Sequence, residues 1–225
     1  MNEQSQYKGT VVICPGGGYE WLSDREAEPV AAAFEKADWR PEVLRYTVGH
    51  QLGTKPLREL GQVVERAKTD YPDKPVVVCG FSAGGHLAGS LGVHYQDLGL
   101  ARPDAMILCY PVITAGSYGH RGSLRNLTEV DQEYYSLEKH VTGDTPQTFL
   151  WATMEDDEVP VQNSLLMAEA LSAAGVPYEL HIFPHGVHGL SLCTPEVDEP
   201  EKGRLADAHV ARWFPLCVEW LNEIK

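Results

Sequence analysis

The sequence predicts an α/β protein built on a compact, doubly wound, mostly parallel sheet of about six strands with helices on both faces. Three observations predict it. Short apolar, largely β-branched runs alternate with longer stretches of helical periodicity along the chain. Several of the short runs are apolar at every position, as in strands covered on both faces. The 225 residues, 43% of them hydrophobic, are enough for one sizeable core, so a single domain over 1–225 is expected.

The elements follow in order. Residues 10–14, TVVIC, read as a buried strand that ends on "PGGGY", and residues 26–37 carry the first helical period. A strand at 42–46 and a helix at 56–69 come next. The strand at 75–80, PVVVCG, runs into "FSAGGHLAG", the start of a helix over 84–95 rich in small residues. Strands at 105–110, 148–152 and 178–183 complete the six, with helices at 161–174 and 205–224. Only 112–146 breaks the alternation. It carries Gly116, Gly119, Gly122 and Gly143 and no long periodic run, and it reads as an insertion over the carboxyl ends of the strands, where such sheets bind ligands.

Composition narrows the partners. A formal charge of -14 repels nucleic acid and anionic membranes, so neither is expected, and a small uncharged substrate fits better. The stretch MNEQSQYKG has neither a basic region nor an apolar one, and no run approaches the roughly eighteen apolar residues of a membrane span. Five cysteines without regular spacing read as buried thiols in a reducing compartment, and a cytoplasmic protein is expected. A homo-oligomer stays open.

Chemistry enters at Gly80-Phe81-Ser82-Ala83-Gly84, which matches G-x-S-x-G, a serine held on a tight strand-to-helix turn. A serine needs an imidazole base, itself oriented by a carboxylate, and on this architecture the order is Ser, then Asp or Glu, then His. After the strand at 148–152 comes the acidic cluster Glu155, Asp156, Asp157 and Glu158; after the strand at 178–183 come His185 and His188. His188, before Gly189 at the far end of its loop, stands where the base is expected. His86 reads as packed in the post-serine helix, and His50, His94, His140 and His209 read as surface or loop positions. Pro184 keeps His181, His185 and His188 off a common helical face, so no metal site is expected.

The serine turn also decides between two readings of the glycine run. A nucleotide cradle would want G-x-G-x-x-G or a lysine before Ser or Thr, whereas Tyr19, Glu20 and Trp21 follow here. The alternative is a loop whose bare N–H groups receive an oxyanion, and Gly17, Gly18 and Ala83 are assigned to that hole. Tyr19 and Trp21, bulky and just beyond the turn, are expected to touch substrate.

The stretches "PGGGYEWLSDREAEPVA", "CGFSAGGHLAGSLGVHY", "YPVITAGSYGHRGS" and "VPVQNSLLMAEALSAAGVPYELHIFPHGVHGLSL" resemble the α/β-hydrolase-fold serine esterases grouped with acetyl-xylan and other short-chain carbohydrate esterases. The similarity covers nearly the whole chain. It departs at "RAKTDYPDKPVVVCG", shorter than the helix and loop usual there, and the extra strands that open larger α/β-hydrolases are missing. The resemblance implies Ser82 as nucleophile, His188 as base and Asp156, three residues before Val159-Pro160, as the acid. It also implies acetyl esters of xylo-oligosaccharides or other sugars as substrates, with no cofactor. The residues alone reach only ester or amide hydrolysis. A small peptidase on the same fold, or an idle relative binding a carbohydrate or a protein, are the other expectations.

Overall fold

The computed structural model describes residues 7–128 and 132–224. Most of MNEQSQYKG, and residues 129–131 of the insertion, lie outside them. Six strands form one wholly parallel sheet: β1 (Thr10–Cys14), β2 (Arg40–Val43), β3 (Val76–Phe81), β4 (Ala105–Cys109), β5 (Gln147–Thr153) and β6 (Tyr178–Phe183), in the order β2-β1-β3-β4-β5-β6. The chain starts near the middle, winds out to β2, returns past β1 and winds to β6. Strand order therefore reverses beside β1 and β3, so the crevice for a ligand opens at their carboxyl ends.

Helices cover both faces because β1, β3 and β4 are buried at every position. On one face α2 (Lys55–Asp70) and α3 (Ala83–Leu98) pack Leu60, Val64 and Leu91 over Val12, Val78 and Met106, and α5 (Gln162–Ala173) adds Met167 and Leu171. On the other, α1 (Glu28–Lys36) and α6 (Trp213–Leu221) pack Val30, Phe34 and Trp213 over Val11, Ile13, Phe81 and Trp151. Trp151 and Trp213 stack with centroids 5.2 Å apart.

Two boundaries move from the sequence reading. The second strand runs Arg40–Val43 and not 42–46, because β2 lies at the sheet edge, where Pro41 removes no needed donor. The last helix is shorter than 205–224: α6 begins at Trp213 behind a 3-10 turn, Val210–Arg212. Its third residue is Pro215, which a helix tolerates in its first turn. The insertion holds α4 (Arg121–Leu127) and the 3-10 turns Gln132–Tyr135 and Leu137–Lys139. Among the described residues no helix is long and apolar enough to cross a membrane.

Candidate active site

Ser82 stands alone between the end of β3 and the start of α3, at φ 53° and ψ -117°, a conformation that a side chain with a Cβ adopts at a cost of about 1–3 kcal/mol. The glycines on either side make it possible. A Cβ on Gly80 would lie 2.0 Å from the Gly84 carbonyl oxygen, and one on Gly84 would lie 2.0 Å from that of Cys14. The turn is held by the Ser82 N–H on the Cys109 carbonyl, and by Val112 and His86 N–H groups on the Ser82 carbonyl, all at 3.0–3.1 Å.

His188 comes from the loop after β6 and Asp156 from the loop after β5, and both are buried. His188 Nε2 lies 2.8 Å from Ser82 Oγ, and Nδ1 lies 2.7 Å from Asp156 Oδ2. Asp156 Oδ1 accepts from the N–H groups of Val159 at 2.8 Å and Glu158 at 3.1 Å, so the loop fixes the carboxylate and the carboxylate fixes the ring. With its proton on Nδ1, His188 presents a lone pair at Nε2 toward the serine. Arg204 Nε donates to the His188 carbonyl and an Arg25 Nη to that of Gly189, each at 2.8 Å. Asp157 is exposed, while Glu155 pairs at the surface with His185, 2.9 Å from its Nδ1.

The glycine turn lies across the serine. Gly17 has φ 126° and Gly18 φ 65°, and a Cβ on Gly17 would sit 2.1 Å from the Trp21 carbonyl oxygen. In a trans peptide C=O and N–H point opposite ways, so each fixed carbonyl aims the next N–H. The Gly16 carbonyl accepts from Ser23 N–H at 3.0 Å, and the Gly17 carbonyl from Glu20 N–H at 3.0 Å. The Ser82 carbonyl is fixed as above. Gly17, Gly18 and Ala83 N–H groups donate to no other described residue.

A cavity of ≈ 230 Å³ opens over this floor, smaller than the roughly 300–1,000 Å³ usual for drug-sized ligands. Trp21, half exposed, stands at its rim. The insertion reaches it through His120, Gly122 and Asn126. Asn126 Nδ2 donates to the Gly18 carbonyl at 2.9 Å, tying the insertion to the glycine turn. His120 Nδ1 accepts from Ser123 N–H at 3.2 Å, so the neutral ring carries its proton on Nε2. Burial first, then the proximity of His188, lowers the His120 pKa and keeps that ring neutral.

The structure thus brings together Ser82, Asp156, His188, Gly17, Gly18, Ala83 and Trp21, but not Tyr19. Tyr19, at φ 62°, turns inward beneath the glycine loop. It is 1% exposed, packs edge-on to Tyr46 and donates its hydroxyl toward His86 Nδ1 at 2.9 Å. It is a core residue, because the left-handed backbone that opens the turn also rotates its side chain away from the cavity. His94 is likewise corrected from surface to core: it is 1% exposed and stacks on Tyr134 at 3.8 Å. Sequence reasoning does not reach His120, Asn126, Glu26 or Arg204. His120, a histidine between glycines in the insertion, had a signal. Glu26, at the head of a helical stretch, and Arg204 carry no motif that would mark them.

The prolyl oligopeptidase family model matches residues 42–216. The chain belongs to the prolyl oligopeptidase family. Its fold is the α/β-hydrolase fold of its structural neighbours. It is 38% identical over 209 residues to an endo-1,4-beta-xylanase B of Butyrivibrio fibrisolvens, covering 83% of this chain and 33% of that one. It is 29% identical over 207 residues to an acetylxylan esterase of Xylanibacter ruminicola, covering 82% of this chain and 41% of that one. The chain thus spans a third to two fifths of the length of these curated relatives. Among solved structures, an acetyl ester-xyloside bifunctional hydrolase from Caldicellulosiruptor lactoaceticus superposes with a TM-score of 0.83 at 34% identity, over 98% of this chain and 84% of that one.

Proposed function

We propose that the chain is a serine carboxylic ester hydrolase that removes short acyl groups, acetyl above all, from xylo-oligosaccharides or other sugars. The observation that carries this reading is the unbroken relay from Asp156 through His188 to Ser82, opening beside donors that no other described residue uses. Ser82 Oγ attacks the ester carbonyl while His188 Nε2 takes its proton. The oxyanion gathers the N–H groups of Gly17, Gly18 and Ala83, donors worth about 10²–10³ in rate apiece where one has been removed elsewhere. The leaving alcohol then receives the proton from His188, and water, activated by the same ring, releases the acid from the acyl-enzyme.

The sugar-ester half of the reading is supported by the names of the acetylxylan esterase and the acetyl ester-xyloside hydrolase, and by the small cavity. Buried, unpaired cysteines support a reducing, cytoplasmic setting as part of the proposal. A peptidase is the second reading, favoured by the family's description. Wild type and Ser82→Ala are assayed on p-nitrophenyl acetate, acetylated xylo-oligosaccharides and aminoacyl p-nitroanilides. The expected result is turnover of both esters, little of the anilides, and loss of at least about 10³-fold in the variant. Near-normal turnover by folded Ser82→Ala removes the mechanism, and faster anilide cleavage makes the chain a peptidase.

A further inference from the structure

Glu26 is a carboxylate that the relay does not use. It closes the 3-10 turn Asp24–Glu26 just after the glycine loop, is 3% exposed, and lines the cavity. Among the described residues it forms no ion pair. A buried charge held only by neutral donors is costly, and its two oxygens are engaged in a telling way. Oε2 accepts the Gly16 N–H at 2.8 Å, and Oε1 accepts the Tyr110 hydroxyl at 2.6 Å. Tyr110 Oη in turn accepts the N–H of Ser191 at 2.9 Å, three residues after His188, and its ring meets the imidazole edge-on at 5.2 Å. A Cβ on Gly16 would lie 2.8 Å from Glu26 Oε2 and 3.1 Å from Ser82 Cβ, so Gly16 is wedged between the carboxylate and the serine.

We propose that Glu26 is a positioning residue for the oxyanion donors, and that Tyr110 couples that role to the histidine loop. The proposal rests on the reading of Gly17, Gly18 and Ala83 as the oxyanion hole. Gly16 has both backbone groups fixed, its N–H by Glu26 and its C=O by Ser23. The Ser23 bond fixes the Gly16–Gly17 peptide and aims the Gly17 N–H, and the Glu26 bond fixes the peptide before it, so that Gly16 is pinned on both sides where glycine at 16, 17 and 18 would otherwise leave the turn free to rotate. Through Tyr110 the same carboxylate joins the donor turn to the segment carrying the base, so the two halves of the site are held as one unit.

Glu26→Gln keeps the side chain's size, but its amide nitrogen must face either the Gly16 N–H or the Tyr110 hydroxyl. Tyr110→Phe removes the other leg. Each variant and their double is compared with wild type in kcat on p-nitrophenyl acetate and in affinity for a trifluoromethyl ketone, whose serine adduct places an oxyanion in the hole. The 15N–1H resonances of Gly16, Gly17 and Gly18 are recorded alongside. The expected result is a loss of roughly tenfold or more in kcat, a similar loss in ketone affinity, and displaced glycine resonances. The double variant should lose less than the product of the single losses, because the two residues act in one chain. A lowered Tm with kcat and ketone affinity unchanged makes Glu26 a structural residue only and overturns the proposal. Faster turnover in Glu26→Gln, the outcome if the carboxylate merely repelled the oxyanion, overturns it as well. If Glu26→Gln does not fold, Tyr110→Phe carries the same comparison. If wild type hydrolyses no ester, the proposed function fails; the glycine resonances still judge Glu26, and unmoved resonances sink its role.

Discussion

At the residue scale, neighbours of the same type take different parts because the backbone points them differently. Asp156 and Asp157 are adjacent acids, yet one side chain is buried on the imidazole and the other faces water. Asp156→Asn removes the acceptor that selects the productive tautomer, an effect of up to about 10⁴ in kcat in the serine-protease case. It should lower kcat by several orders of magnitude at neutral pH, while Asp157→Asn changes it less than roughly tenfold, measured side by side on one ester. His86 gives the second residue-scale expectation. Its Nε2 donates to the Tyr135 carbonyl at 3.1 Å and its Nδ1 accepts from Tyr19, so the buried ring has no place for a second proton. Burial lowers its pKa from 6.5 to about 4. The unfolded chain takes up a proton below pH 6.5 that the folded protein refuses until about pH 4, so stability falls across that window, by about 1.4 kcal/mol per unit of difference. Urea unfolding at pH 7 and pH 4.5 should give a smaller drop for His86→Gln than for wild type. Carboxylates titrate alike in both proteins and cancel.

At the scale of elements, the site is a consequence of how closely β3, α3 and β1 approach. Gly84, in the first turn of α3, lies against the Cys14 and Pro15 carbonyls at the end of β1. Gly84→Ala must push that helix end off the sheet, and overpacking of a rigid backbone costs about 1–3 kcal/mol or more. It is expected to lose stability in urea and to lose activity more than in proportion, since the Ala83 donor moves with it. Gly99, with nothing within 4 Å of its added Cβ, is the control: alanine there meets only the φ of 62°, costing about 1 kcal/mol with kcat unchanged.

The same scale explains what was legible in the sequence. All six strands could be read because each is a short run bounded by turn residues, and Ser82, Asp156 and His188 because each follows a strand end in a fixed order. Strand 2 was displaced because its edge position, which excuses Pro41, belongs to the sheet and not to the segment. Tyr19 was misplaced because its direction depends on one positive φ, which residue identity does not encode at a tyrosine. Glu26 and Arg204 were invisible because what ties them to the site lies elsewhere in the chain: the Gly16 N–H and the Tyr110 hydroxyl for one, the His188 carbonyl for the other.

For the whole molecule, the size of the cavity bears on the substrate proposed above. The cavity of ≈ 230 Å³ is walled by the insertion on one side and Trp21 on another. An acyl chain longer than the space must stay in water or force the walls apart, at about 0.8 kcal/mol or more per methylene. kcat/KM for p-nitrophenyl acetate should therefore exceed that for the octanoate by at least an order of magnitude. An equal or better octanoate would place the acyl group outside this cavity.

The five unpaired thiols have a practical meaning of their own. Cys14, Cys79 and Cys109 sit on three adjacent central strands, while Cys193 and Cys217 belong to the carboxyl-terminal third. Burial raises the pKa of Cys14, Cys109, Cys193 and Cys217, so the reactive thiolate is scarce while the fold is closed. A thiol reagent applied to the native protein thus works as a clock of opening, and mass spectrometry gives the clock two hands. Modification of Cys193 and Cys217 ahead of the other three would time the detachment of the carboxyl-terminal segment that carries Arg204. Simultaneous modification of all five would time the parting of the sheet itself.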